Sequence, residues 1–158
     1  MPAGVSVSVE SFGSADGLRL VAALDAELGA LYPPENRFGP RFTARHAEEG
    51  RGTFLVARLD GVAVGCGAFT LIDPETAEVK RMFAAPEARG RGVGHAVLEE
   101  LEARAKALGV RRLVLETGIH QHDAMRLYER AGYEHTDCWG DYVGVATSVC
   151  YHKLVAED

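Results

Sequence analysis

The sequence contains no apolar run that approaches the roughly 20 residues needed to span a bilayer. Its first residues lack the basic region and the long apolar stretch of a signal peptide. Positive charge is also scarce, because the formal net charge is -6 and no long basic run occurs. An acidic chain of this kind is poorly suited to binding a phosphate backbone. We therefore expect a cytoplasmic protein that partners with neither membranes nor nucleic acid.

Cysteines are few, and their spacing shows no pairing pattern. Cys66, Cys138 and Cys150 are odd in number, far apart and free of any C-x-x-C motif, which argues against a disulfide framework and a zinc knuckle. We interpret all three as reduced, mostly packed thiols and expect no thiol nucleophile. His120 and His122 are interpreted as solvated loop residues, because no acidic or thiol partner accompanies them. No metal site is predicted.

Apolar sequence, in contrast, is plentiful. Hydrophobic residues make up 47% of the chain, enough for the core of a single domain over residues 1–158. Period-two alternation predicts strands, as at residues 5–9, and the Asp60-Gly61 pair between two apolar runs predicts a hairpin. The predicted order is β-α-(α)-β-β-β-α-β-α-β-β, an α+β domain with a mixed sheet. The helix in parentheses covers residues 35–50, where the helical pattern is weak.

The segment "RGRGVG" alternates glycines and arginines between an apolar run and a helix-patterned run. A glycine-rich turn at a helix start leaves several N–H groups without partners, which makes an anion cradle. A nucleoside triphosphatase loop does not fit, because the chain has no Gly-Lys pair. The dinucleotide motif starting at Gly90 and Gly92 fails at His95, where it requires glycine. The alternative to a cradle is a loop that only turns a tight corner.

Two sequence blocks carry a resemblance to a known family. "RGRGVG" resembles the R/Q-x-x-G-x-G/A pyrophosphate motif of the GCN5-related N-acetyltransferase (GNAT) superfamily. "QHDAMRLYERAGY" resembles the same family's N-x-x-A-x-x-L-Y-x-x-x-G-F/Y segment, with Gln121 in place of the usual asparagine. The resemblance implies a GNAT-like α+β domain with a central mixed, mostly antiparallel, splayed sheet flanked by about four helices.

The resemblance also implies acetyl-CoA as the cofactor, with coenzyme A as the product. The residues expected to bind the pyrophosphate are Arg89, Gly90, Arg91, Gly92, Val93, Gly94 and His95. The pantetheine arm is expected to run like an extra strand along Met82, Phe83 and Ala84, and the amide of Met82 is expected to face the thioester carbonyl. Core packing is the alternative role for the Met82 and Phe83 side chains.

Two residues are the candidates for proton transfer. An amine with a pKa near 10 is protonated at pH 7, so a base is useful. Glu78 lies four residues before Met82, hence on the same face by period two, at a position where many family members carry a carboxylate. An ordinary exposed strand glutamate is the alternative. Tyr128 matches the family tyrosine that protonates the departing thiolate, and a core aromatic is its alternative.

The acceptor groove of the family is walled by segments that correspond here to residues 31–42 and 137–151. The residues in these segments suited to a cationic small amine are Tyr32, Glu35, Trp139, Asp141 and Tyr142. The same residues would suit the edge of a homodimer. Two functions are therefore considered: acetyl transfer to a primary amine of a small molecule or peptide by direct attack, and a non-catalytic acyl-CoA-binding or sensing module. Tyr128 favours the enzyme.

Overall fold

A computed structural model describes residues 4–32 and 42–155. Its strands are β1 (Val5–Val9), β2 (Gly52–Leu59), β3 (Val62–Asp73), β4 (Thr76–Ala84), β5 (Arg112–Gly118), β6 (Glu134–His135) and β7 (Ser148–Leu154). Its α-helices are α1 (Ala15–Leu31), α2 (Val93–Ala107) and α3 (His122–Arg130). Short 3-10 turns occur at Ala44–Ala47, Pro86–Ala88 and Gly140–Tyr142.

The strands form one seven-stranded sheet in the order β1-β2-β3-β4-β5-β7-β6. Only β4 and β5 pair in parallel, so the predicted mixed, mostly antiparallel sheet is confirmed. The predicted number of helices is wrong for the described residues, which hold three α-helices rather than about four. The weak helical pattern at residues 35–50 yields only the 3-10 turn Ala44–Ala47 in its described part. Within residues 4–32 and 42–155, no helix combines the length and apolar character needed to cross a membrane.

Each face of the sheet carries its own hydrophobic core. On one face, the apolar residues of α1 pack on side chains of β2 and β3 such as Phe54 and Ala68. On the other face, α2 and α3 pack on side chains such as Phe69 and Tyr151. Since successive strand residues point to opposite faces, these two cores show which side of the sheet each strand residue faces. We call them the α1 face and the α2 face.

Strands β4 and β5 separate soon after they meet. Their parallel pairing covers only Thr76–Glu78 and Arg112–Val114, although β4 continues to Ala84 and β5 to Gly118. Beyond Glu78, therefore, β4 pairs only with β3. The backbone edges of both strands line a V-shaped opening in the middle of the sheet. An open edge of this kind can accept an extended ligand as an additional strand.

A β-bulge interrupts β4 at Arg81, whose φ of 59° is left-handed. Lys80 pairs with Ala68, whereas Phe83 pairs with Cys66, so two residues of β4 stand opposite one of β3. The bulge reverses the facing of the residues that follow it. Met82 packs with the α2-face core, while Glu78 lies on the α1 face. The expectation that Glu78 and Met82 share a face is therefore wrong, because period two holds only in an uninterrupted strand.

The prediction of three reduced thiols is also wrong. Cys138 and Cys150 form a disulfide, with their Cα atoms 5.3 Å apart. The pairing arises because β6 and β7 run antiparallel and the chain folds back on itself between them. Cys66 is the free cysteine, buried as expected, and burial raises the pKa of its thiol to about 12.

Candidate active site

The glycine-rich segment forms a tight loop at the start of α2. Gly90 and Gly92 both have φ of 81°, a conformation in which a Cβ atom would be strained. The first backbone hydrogen bond of the helix runs from the amide of Ala96 to the carbonyl of Gly92 (3.0 Å). The amides of the three residues at 93–95 precede it and point along the helix axis without intrahelical acceptors. This geometry suits a pyrophosphate, whose charge the helix dipole also favours.

Gly94 has a different role from the other two glycines. A Cβ atom at this position would lie 3.0 Å from Cδ2 of Leu127 in α3. The missing side chain therefore lets α2 and α3 approach closely, which holds the helix that carries Tyr128 against the start of α2. The sequence pattern did not distinguish this packing role from the backbone conformations of Gly90 and Gly92.

The arginine side chains are directed towards α1. Arg89 donates from Nε to the carbonyl of Ala84 (3.0 Å) and pairs with Glu27 (2.5 Å). Arg81 pairs with Asp25 of the same helix at 2.8 Å. The Arg89 side chain, predicted to bind pyrophosphate, thus joins the loop to α1. Arg91 and His95 are exposed at the cradle.

Tyr128 is buried in the α2-face core, at 5% exposure. Its ring packs against Tyr133 and Tyr151, with centroid distances of 6.0 and 6.1 Å. Within the described parts of the chain its hydroxyl group makes no hydrogen bond. Burial raises the pKa of Tyr128 well above its ordinary value, and the nearby charge of Glu116 raises it further. The phenol is therefore a buried proton donor that stays protonated at neutral pH.

Glu78 is buried rather than exposed, so its interpretation as a surface strand residue is wrong. The side chain lies on the α1 face and the residue is 6% exposed. Its carboxylate accepts a hydrogen bond from the hydroxyl of Tyr142 (2.9 Å) and lies 3.6 Å from Nζ of Lys80. Lys80 in turn donates to the same Tyr142 oxygen at 3.4 Å. Glu78 is thus held in a compact polar cluster.

Glu116 is a second carboxylate, partly buried, that the sequence analysis did not single out. It lies two residues beyond Val114, the parallel partner of Glu78, so both carboxylates occupy the α1 face. Ser148 donates to it at 2.7 Å. Burial, and to a lesser extent the charge of Glu78, raise the pKa of Glu116 to about 7, although Ser148 and Lys80 oppose the rise. The available signal was an acid inside the buried-strand pattern "RRLVLET".

Among the predicted acceptor-wall residues, Tyr32 and Tyr142 are buried and Trp139 is partly buried. Tyr142 contacts Glu78 as described, and Trp139 packs edge to face on its ring at 5.4 Å. The hydroxyl of Tyr32 accepts a hydrogen bond from the amide of His120 (3.0 Å), and burial raises the Tyr32 pKa, with a smaller contribution from Glu116. Asp141 is exposed. Residue 35, also predicted to line the wall, lies outside the described residues.

Gly118 ends β5 beside Tyr32, and Gln121 is the N-cap residue of α3. A Cβ atom on Gly118 would lie 1.8 Å from the Tyr32 hydroxyl oxygen, so only glycine allows the tyrosine to pack there. Gln121, which stands where the family motif has asparagine, accepts a hydrogen bond from the amide of Gly118 at 2.9 Å. Gly118 and Gln121 therefore both help to fix the backbone at the end of β5, next to Tyr32.

Two buried hydroxyls, one on each face of the sheet, have no hydrogen-bond partner in the described structure: Thr70 Oγ1 and Thr117 Oγ1. Thr70 is the cross-strand neighbour of Glu78, and Thr117 follows Glu116 along β5. Buried hydroxyls usually find partners, so these two are groups that a bound molecule or water can satisfy. No cluster of three residues able to bind a metal ion occurs among residues 4–32 and 42–155.

Comparison with known proteins places the chain in a family. Residues 21–133 match the acetyltransferase (GNAT) family. An IAA acetyltransferase of Azospirillum brasilense is 41% identical over 127 residues, which cover 79% of this chain and 81% of that protein. A crystal structure from Klebsiella pneumoniae subsp. pneumoniae, provisionally described as an acyl-CoA N-acyltransferase, is 32% identical with a TM-score of 0.80, covering 95% of this chain and 97% of that one. A GNAT family acetyltransferase from Elizabethkingia anophelis with acetyl-CoA bound shares the fold at 18% identity and a TM-score of 0.69, covering 97% and 99% of the two chains. The chain belongs to the GNAT family of acetyltransferases.

Proposed function

We propose that this acetyltransferase moves the acetyl group of acetyl-CoA to a primary amine of a small molecule or peptide by direct attack. The observation that carries the proposal is that a partly buried proton acceptor, Glu116, lies near a buried proton donor, Tyr128. Glu116 and Tyr128 come from opposite faces of the sheet, yet lie near enough for the charge of one to raise the pKa of the other. In this proposal the substrates reach both groups through the opening between β4 and β5.

The chain offers fitting groups for the donor molecule. The free amides at residues 93–95, with the turn set by Gly90 and Gly92, would bind its pyrophosphate. The open edge of β4 at Met82 and Phe83 would hydrogen-bond its extended arm. The carbonyl of Ala84, the third residue predicted for this edge, already accepts from Arg89. Bound there, the thioester supplies an activated acetyl group, and the Met82 amide is the proposed donor to its carbonyl oxygen.

We assign the general base to Glu116 in preference to Glu78. A base works best when its pKa lies near the operating pH, and Glu116 has a pKa of about 7. Glu78 is already hydrogen-bonded by Tyr142 and paired with Lys80. Its proposed role is to hold this side of the acceptor site and to keep the pKa of Glu116 high. Glu78 is the alternative candidate for the general base.

Tyr128 is proposed as the general acid for the departing thiolate. In support, Tyr128 lies on α3 directly after Leu127, the residue that packs on Gly94 at the start of α2. No covalent enzyme intermediate is needed, because the neutral amine can attack directly once its proton has passed to the base. The buried carboxylates and the aromatic rings of Tyr32 and Tyr142 favour a cationic acceptor.

A free-thiol release assay with acetyl-CoA and a panel of amines tests this function. The panel should span polyamines, amino acids, aromatic amines, aminoglycosides and peptides with a free N-terminus. We expect amine-dependent release of coenzyme A with at least one class. Tight coenzyme A binding without release by any amine would instead favour the acyl-CoA-binding or sensing module.

A further inference from the structure

A single segment, residues 138–150, supplies a hydroxyl donor to each of the two carboxylates, the buried Glu78 and the partly buried Glu116. Tyr142 in this segment donates to Glu78 at 2.9 Å, and Ser148 donates to Glu116 at 2.7 Å. The Cys138–Cys150 disulfide closes the ends of the same segment. One covalent bond therefore spans the chain that reaches both carboxylates.

Residues 148–150 begin β7 and pair with the end of β5, but the rest of the segment has little regular structure to fix its position. Between the cysteines it forms the 3-10 turn Gly140–Tyr142 and the backbone bonds of local turns, such as Val145 N to Tyr142 O (3.2 Å). A backbone bond from Ile119 to the carbonyl of Thr147 (3.0 Å) joins it to the end of β5. Such a segment depends on its closure, because a crosslink limits the conformations that the chain can otherwise adopt.

We propose that Tyr142 and Ser148 are positioning residues for the two carboxylates, and that the disulfide makes their placement sensitive to thiols. In the oxidised protein, the Tyr142 hydroxyl donates a hydrogen bond to Glu78 and the Ser148 hydroxyl donates one to Glu116. When a dithiol reduces the disulfide, the part of the segment before β7 loosens, so that Tyr142 leaves its place and Ser148, the first residue of β7, shifts on Glu116. The catalytic part of this proposal rests on the proposed function, in which Glu116 is the general base and Glu78 lines the acceptor site.

The exchange is chemically balanced with a dithiol reductant. Its thiolate attacks the sulfur of Cys138, the disulfide breaks, and Cys150 leaves as a thiolate that takes up a proton. The second thiol of the reductant then displaces Cys138 and closes a disulfide on the reductant, so two electrons pass to the protein. Attack at Cys138 is expected because this residue is partly exposed, whereas Cys150 is 3% exposed.

Trp139 provides a direct optical probe of the segment. It is the only tryptophan of the chain and packs on the ring of Tyr142 at 5.4 Å. Reduction, verified by alkylation and mass spectrometry, should change Trp139 emission and move the carboxyl ¹³C resonances of Glu78 and Glu116, assigned from Glu78→Gln and Glu116→Gln. A Cys138→Ser/Cys150→Ser protein should resemble the reduced state without reductant. Cys66→Ser is the matched control and should respond to reduction as the wild type does.

Ser148→Ala and Tyr142→Phe test the positioning roles separately. Ser148→Ala should raise the pH at which the Glu116 carboxyl titrates, because the donor that favours its charged form is gone. The other titratable groups that act on Glu116 or are acted on by it remain in place: Tyr32, Glu78, Lys80, Tyr128 and Tyr142. Tyr142→Phe keeps the ring and should move the Glu78 resonance alone.

None of these measurements needs an acceptor or turnover, so their failure is distinct from a failure of the proposed function. The proposal is overturned if Cys138 and Cys150 both alkylate in protein treated with oxidised glutathione. It is equally overturned if complete reduction leaves Trp139 emission and both carboxyl resonances unchanged.

Discussion

At the scale of single residues, the protonation of Glu116 and Tyr128 sets the expected pH behaviour. Burial raises the pKa of both, but the consequence differs because one must be charged to act and the other neutral. Glu116 accepts a proton only above its pKa of about 7. Tyr128 can donate up to a pH above its ordinary value of 10.0. Activity should therefore rise with pH through about 7 and show no loss from Tyr128 ionisation below pH 10.

Glu116→Gln should remove that rise. The amide can still accept from Ser148 but cannot take a proton, so the rate near pH 7.5 should fall by about 10² to 10⁴ and become less dependent on pH around 7. Glu78→Gln is the matched control, and we expect it to weaken acceptor binding more than the chemical step. The measurement is the pH profile of kcat/KM with the best amine from the panel. If Glu78→Gln, rather than Glu116→Gln, abolishes the rise, the two roles are reversed.

Tyr128→Phe keeps the packing ring and removes the hydroxyl group alone. We expect the chemical step to slow by about 10² to 10⁴, the usual value of positioned acid catalysis. Coenzyme A affinity, measured by calorimetry, should change little. A variant that turns over at the wild-type rate, with chemistry limiting, would return Tyr128 to a role in the core, where its contacts with Tyr133 and Tyr151 already place it.

At the scale of elements, the turn before α2 and the bulge in β4 show how local backbone geometry shapes the site. Gly90 and Gly92 adopt the left-handed conformation that their residue type permits, and the pattern of the sequence anticipated a loop of this kind. Arg81 adopts a similar conformation although it is not glycine, so the residue type at this position did not predict the bulge. Its effect is large, because it directs Glu78 and Met82 to opposite faces.

Gly92→Asp should abolish coenzyme A binding. The new carboxylate would stand at the N-cap of α2, where it would repel a pyrophosphate and cap the free amides itself. Gly92→Ala is the control, because it bears the same strain at φ of 81° without a charge. Calorimetric titration of both variants with coenzyme A separates the two effects. Equal affinities in the two variants would show that the cradle does not bind the pyrophosphate.

At the scale of the whole molecule, the groups proposed to bind acetyl-CoA come from elements that are distant in sequence. The cradle lies at the start of α2, the open edge belongs to β4, and Tyr128 lies on α3. The ion pairs of Arg81 and Arg89 also attach α1 to this region. Binding at such a junction should stabilise the fold as a unit.

Coenzyme A should accordingly raise the melting temperature. Ligand at 100 times its dissociation constant adds about 2.7 kcal/mol to the free energy of unfolding, a shift of roughly 5 to 11 °C for a chain of this size. Differential scanning fluorimetry with millimolar coenzyme A measures the shift, and pantothenate, which lacks the pyrophosphate, is the control. An unchanged melting curve with coenzyme A would contradict binding at this junction.

The sequence by itself determined the elements and the cradle, because both depend on local rules. Hydrophobic period, turn residues such as Asp60 and Gly61, and helix-terminal glycines act over a few neighbouring positions. They fixed the strand and helix order, and the two motif blocks indicated the family. Burial of Glu78 was not predictable in the same way, because exposure depends on what the rest of the chain packs over a strand.

Only the tertiary structure decided which distant residues meet. Glu116 gains its pKa of about 7 from burial and from Glu78, a residue of another strand, and neither cause is visible in the strand pattern. The Cys138–Cys150 bond likewise depends on the chain folding back after β6, not on cysteine spacing. Desolvation and pairing act through space, whereas sequence patterns report on neighbours along the chain, so the chemistry between the carboxylates became visible only once the sheet was assembled.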